Sequence, residues 1–226
     1  MDTLVDALGL AVLLSALLCA VYIKVLEPYF YYFKEYSCVF GDIAGSSLLK
    51  KYSPVILVFC TVVFAAVLLS GHKGLYLAGL LITAAVLLVI SATDIRFKKI
   101  PNEFNIIILL LGAVLGLSSS GNLFFPVALC GGAAASLLPA MVKFLGGSIG
   151  AGDIKLMFSV GFLLGTWLAL SFFLLTFIFA AVVAVVFLFF HKIGRKTPIP
   201  LAPFACIAFS AVIYFEEVFT EIWRII

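Results

Sequence analysis

From Leu156 to Phe190 the chain passes from one apolar run into the next without a charged side chain. That continuity constrains the fold more than any other feature. Of the 226 residues, 65% are hydrophobic and 11% charged, whereas a soluble domain carries about 25% charged residues. A water-soluble core cannot hide so much apolar surface, so the chain reads as an integral membrane protein. Membrane-crossing strands alternate in polarity, and these runs do not. The expected class is therefore all-α rather than a barrel.

Eight apolar segments stand out, roughly at 7–26, 54–71, 75–93, 103–118, 123–145, 153–166, 168–190 and 200–219. The fourth and sixth are short for a bilayer whose hydrocarbon core needs about 20 helical residues. The sixth and seventh meet around Gly165, Thr166 and Trp167. With the N-terminus outside, the inner connections hold Lys24, Lys34, Lys50, Lys51, Arg96, Lys98, Lys99, Lys143, Lys155, Lys192, Arg195 and Lys196. Only Lys73 and Arg224 fall outside. The excess of basic residues in inner loops predicts eight transmembrane helices, N-out and C-out. Asp2 and Asp6, with no basic residue before the first span, argue against a cleaved signal peptide. No internal repeat or soluble domain is evident, so residues 1–226 read as a single polytopic membrane domain. The one sizeable polar connection is at 27–53, and its aromatic start suits an interfacial segment.

Most familiar chemistries find no footing. Four of the five cysteines, Cys19, Cys60, Cys130 and Cys206, lie in apolar runs, Cys38 lies in the polar loop, and no CxxC pair exists. Neither zinc nor a disulfide framework is supported. HExxH, GxSxG and P-loop motifs are absent. His72 and His191 are far apart and read as interfacial. No nucleic-acid partner is expected.

The aspartates are more informative. Apart from Asp2 and Asp6, the chain has Asp42, Asp94 and Asp153. Asp42 lies in the polar loop and reads as solvated. Asp94, in "SATDIRF", and Asp153, in "GAGDIKL", share a setting: each sits at the inner end of a span, with a basic residue two positions on, Arg96 or Lys155. On the expected topology both face the same side, so a bundle can bring them together. Two neighbouring carboxylates do not both ionise cheaply, and the pair then holds one proton. Such a pair hydrolyses a peptide bond by general acid–base catalysis, without a metal or covalent intermediate. Gly150 and Gly152 permit unusual backbone shapes and the close approach of an extended substrate. The plain alternative is that each aspartate is a solvated helix cap, with Asp153 as the N-cap of its helix. Near the last span, Pro198, Pro200 and Pro203 mark either a helix entry or an extended segment lining the same site.

Three stretches resemble the type IV prepilin peptidases, a branch of the GxGD intramembrane aspartyl proteases. "DIRFKKIPN" (94–102) is similar to the family's first aspartate with its downstream Ile/Leu-Pro-Asn/Asp, here ending in Pro101 and Asn102. "GAGDIKL" (150–156) is similar to the GxGDxK motif. "IPLAPF" (199–204) resembles the family's Ile-Pro-Phe-Gly-Pro, with Leu201 and Ala202 departing from it. The resemblance spans roughly 75–215, the expected peptidase core. It implies an aspartic endopeptidase with Asp94 and Asp153 as the catalytic pair, and with Gly150, Gly152, Lys155, Pro101, Asn102, Pro200 and Pro203 as motif or substrate-lining residues. The implied substrates are prepilins or pseudopilins, cut after a glycine that ends a short basic leader. The implied place is the cytoplasmic face of a bacterial inner membrane. Many relatives also N-methylate the new N-terminus with S-adenosylmethionine, whereas proteolysis needs no cofactor. Larger relatives carry two CxxC pairs in the first inner loop, so the 27–53 loop reads as a reduced cytoplasmic loop without their zinc site. The inner face is basic, which suits anionic lipids of the bilayer, and a leader's charges have Glu27, Glu35 or Asp42 to pair with. A second class fits the same carboxylates: a small transporter or channel using Asp94 and Asp153 as ion or proton sites. A third is an inactive homologue serving in assembly.

Overall fold

The computed structural model describes residues 2–21, 58–119, 124–145, 149–189 and 200–225. They are helical, with no strand among them. They fall into two compact units, Met1–Leu69 and Ser70–Ile226. The 27–53 loop, with Glu27, Glu35, Cys38 and Asp42, lies outside the described residues, as do His191 and Pro198.

In the first unit, α1 (Asp2–Val21) and α2 (Val58–Leu68) are both apolar. Their polar contact is Ser15, whose Oγ donates to the Val12 carbonyl and lies 3.1 Å from Thr61 Oγ1.

The second unit holds α3 (Gly74–Phe97), α4 (Asn102–Ser119), α5 (Phe124–Phe144), α6 (Ala151–Leu164), α7 (Thr166–Phe189), α8 (Ala202–Tyr214) and α9 (Glu216–Ile225). Helix α6 is central, packed against α4, α5 and α7, while α8 packs on α3 and α7. Glycine sets these approaches. A Cβ on Gly131 of α5 would sit 2.5 Å from the Gly161 carbonyl oxygen of α6, and one on Gly161 would sit 2.7 Å from that of Gly131. A Cβ on Gly112 of α4 would come within 3.1 Å of Leu163 Cα. With no hydrophobic drive between helices in lipid, small residues that let backbones touch hold such a bundle together. At Gly165 the chain adopts φ 75°, separating α6 from α7. Only glycine takes that shape without strain.

Among the described residues three helices, Gly74–Ile95, Phe125–Phe144 and Thr166–Phe189, are long and apolar enough to cross a membrane. A fourth span exists if α8 and α9 count as one, bent by 81°. The segment expected at 200–219 is thus not one straight helix. It stops at Tyr214, and α9 departs with its own amphipathic pattern. Helix α6, with 14 residues, reaches about 21 Å at 1.5 Å per residue, shorter than any of these three.

The bundle has two distinct ends. At one, the His72 ring meets Glu216 Oε2 at 2.7 Å, and the Trp167 and Trp223 rings stack at 5.9 Å. Trp223 Nε1 also donates to Ser171 Oγ at 2.7 Å. These contacts fasten α9 to the segment just ahead of α3 and to α7. At the other end gather the close of α3 and the starts of α4, α6 and α8.

Candidate active site

The site is assembled from the ends of four helices. Helix α3 carries Asp94 three residues before its last residue, Phe97. The helix closes through Lys98, a left-handed residue at φ 52°, whose N–H donates to the Asp94 carbonyl at 2.9 Å. This αL closure turns the chain sharply, and Asn102 already opens α4. Asp94 is only 6% exposed. Its carboxylate Oδ2 accepts the N–H of Ala202 at 3.0 Å, and the Leu201 N–H is also directed at it. Ala202 is the first residue of α8, and its N–H is one of the donors a helix leaves unpaired at its start. Asp94 therefore caps α8 from another helix, where the helix dipole favours negative charge. Pro203 lies in the first turn of α8, where its missing N–H costs nothing. Pro200 is half-buried just ahead of it. The proline-rich stretch is thus a helix entry and a wall of the site at once.

Asp153 arrives from α6. The N-cap of that helix is Gly150, with φ −65° and ψ 142°, so Asp153 is the third residue in rather than the cap. Its carboxyl takes the Gly150 N–H, the reach-back half of a capping box. Burial, and then the charge of Asp94, push the Asp153 carboxyl up to about 6, against the pull of the Gly150 N–H and Lys143. The influence of Asp94 places the two carboxyl groups within electrostatic reach, across 59 residues of sequence.

Gly150 has an ordinary φ, and a Cβ there would meet only the movable Asp153 Oδ2, at 2.9 Å. Gly152 is tighter: its added Cβ would lie 3.0 Å from Ile100 Cβ. The glycine directly before Asp153 is thus the surface on which the loop after α3 rests. Lys155 Nζ donates to Asn102 Oδ1 at 2.8 Å, tying α6 to α4 beside that loop. Pro101 is half-buried within the loop. All nine residues singled out in the sequence lie at this end of the bundle. Contacts link Asp94 to the 199–204 stretch, Asp153 to Gly150 and Asp94, and Lys155 to Asn102.

One residue at this end escaped the sequence reading. Asn105 of α4 is 4% exposed, and neither its Nδ2 nor its Oδ1 has a hydrogen-bond partner. Its signal was present: an amide one turn inside an apolar helix, three positions after Asn102.

Among the described residues no cluster of three or more His, Cys, Asp or Glu side chains forms a metal cage. The described acids at this end are Asp94, Glu103 and Asp153. Asp94 is buried, Asp153 half-buried and Glu103 exposed.

Residues 81–186 match the sequence model of the type IV leader peptidase family. The chain is also 29% identical, over 141 residues, to the prepilin leader peptidase/N-methyltransferase of Bacillus subtilis (strain 168). That alignment covers 62% of this chain and 56% of the relative, so the chain spans just over half the length of the curated relative it matches. No solved structure matches the chain.

Proposed function

We propose that this chain, whose residues 81–186 match the sequence model of the type IV leader peptidase family, is a member of that family and a membrane-embedded aspartic endopeptidase. It removes the leader peptide of a type IV prepilin or pseudopilin. The observation that carries the reading is the gathering of Asp94 and Asp153 at one end of the bundle, with Asp94 capping α8 and acting electrostatically on Asp153.

A raised carboxyl beside a second carboxyl is suited to sharing a single proton across the pair. The ionised member takes a proton from water as the water oxygen bonds to the scissile carbonyl carbon. The protonated member gives its proton to the carbonyl oxygen. The tetrahedral intermediate then collapses: the C–N bond breaks, the proton gained from water passes to the leaving nitrogen, and a hydroxyl of the intermediate returns its proton to the other carboxylate as the C=O bond re-forms. One carboxyl group ends protonated again, so the cycle closes.

The finer reading is eight spans, N-out and C-out, with the site at the cytoplasmic face of a bacterial inner membrane. The charge at the two ends supports it. Lys98, Lys99, Lys143 and Lys155 are exposed at the aspartate end, and basic residues favour the cytoplasmic side. The transporter alternative is not favoured, because both carboxyl groups sit at helix ends on one side rather than along a path through the bundle. N-methylation of the new N-terminus, with S-adenosylmethionine as donor, is a separate proposal drawn from the relative's name.

Co-expression with candidate prepilins tests the reading. A size shift to the mature pilin supports it, and retention of the leader with every candidate, in cells that hold the chain in the membrane, removes it. The product mass reads methylation directly: one added methyl group on the new N-terminus supports it, and an unmodified terminus excludes it.

A further inference from the structure

Asn105 is a buried polar side chain at the aspartate end that the mechanism above leaves unused. It lies three residues into α4, and Asp94 lies three residues before the end of α3. The two helices run in opposite directions from a short loop, so at about 1.5 Å per residue both stand about 4.5 Å inside the bundle. Asp153, two residues into α6, stands about 3 Å inside by the same measure. Helices α4 and α6 start at the same end, and their facing residues keep step: Asn102 meets Lys155, and Gly112 meets Leu163. Residues seven apart on a helix share a face, so Asn105 lies in line with Gly112, on the side turned to α6. Carried back seven residues from the Gly112–Leu163 contact, the residue level with it on α6 is Leu156, three positions after Asp153.

Asn105 is 4% exposed, with both amide atoms unpaired. The other polar side chains buried nearby behave differently. Ser91, Thr93 and Ser159 each donate to a carbonyl of their own helix, and Asp94 caps α8. A buried amide without a partner is costly, and an apolar residue of the same size would pack there without that cost. The group fits a site that a partner enters.

We propose that Asn105 is a substrate-binding residue whose side-chain amide pairs with the backbone of the extended peptide lying across Asp94 and Asp153. A primary amide offers an acceptor and a donor side by side, the complement of a peptide's own N–H and C=O. The pairing fixes the scissile bond against the carboxyl pair while leaving side-chain identity free. The inference rests on the peptidase reading.

The test uses the full chain in lipid nanodiscs and a synthetic peptide spanning a leader junction. Single backbone esters are placed along it, each removing one N–H. At one position near the junction, the ester lowers wild-type kcat/KM about tenfold, the scale of one lost hydrogen bond. The same ester changes Asn105→Leu less than twofold, and Asn105→Leu melts no lower than wild type. Asn105→Ala provides the same comparison where leucine does not fit. Equal ester costs in wild type and variant at every position overturn the inference, and so does wild-type kcat/KM in Asn105→Ala on the all-amide peptide. Failure of the wild type to cleave that peptide removes the peptidase reading and this inference with it.

Discussion

The Asp153 carboxyl sets the pH response of the pair. An acid raised from 3.8 to about 6 keeps its proton to higher pH. The once-protonated pair therefore survives up to about pH 6 and loses its proton above it. Leader cleavage is expected to fall along an alkaline limb that begins near pH 6 rather than near 4. A rate profile in nanodiscs checks this, and a flat rate from pH 5 to 9 contradicts it. Gly152 carries a second expectation. A side chain there pushes against Ile100 and moves the start of α6, and a misplacement of about 1 Å in a catalytic geometry costs on the order of a hundredfold in rate. Gly152→Val should lose about that much kcat while still accumulating in the membrane. The two carboxylates of the proposed site were legible in the sequence, because a carboxylate at the edge of an apolar run stands out. Gly152 was legible as a glycine but not as a contact, since Ile100 lies on another element. Asn105 was not legible as a site residue, because its lack of partners exists only in three dimensions.

At the scale of helices, the crossing of α5 on α6 rests on Gly131 and Gly161, each facing the other's carbonyl. Gly161→Leu forces the helices apart, and overpacking of this kind costs about 1–3 kcal/mol. A lowered melting temperature in detergent, with Gly9→Leu as an unaffected control in open space, is the expected result. Element positions followed from hydropathy, since continuous apolar runs have few other homes. The division at Gly165 was visible from the glycine itself. The turn after Tyr214 was not. "YFEEVFTEIW" keeps its aromatic residues past the end of α8, and a window of hydropathy does not separate a span from a helix leaving it at 81°. The contacts that hold α9, His72 to Glu216 and Trp223 to Ser171, join residues 144 and 52 positions apart. No local pattern announces them.

For the molecule as a whole, the aspartate end and the α9 end lie on opposite sides of the second unit, and the proposed topology assigns them to opposite faces of the membrane. Single cysteines at Lys98 and Lys143, in a background without the five native ones, should react with an impermeant maleimide only after the cytoplasmic side is opened. Cysteines at Lys73 and Glu217 should react in intact spheroplasts, and the reverse pattern inverts the topology. The central claim is narrower than the topology: Asp94 and Asp153 form one active site that hydrolyses a peptide bond. It is tested most directly by cleavage of a prepilin with purified wild type, Asp94→Asn and Asp153→Asn, each verified as folded in the same nanodiscs. The account predicts that wild type releases the leader and that each single variant leaves the precursor intact. Cleavage at the wild-type rate by either variant contradicts it.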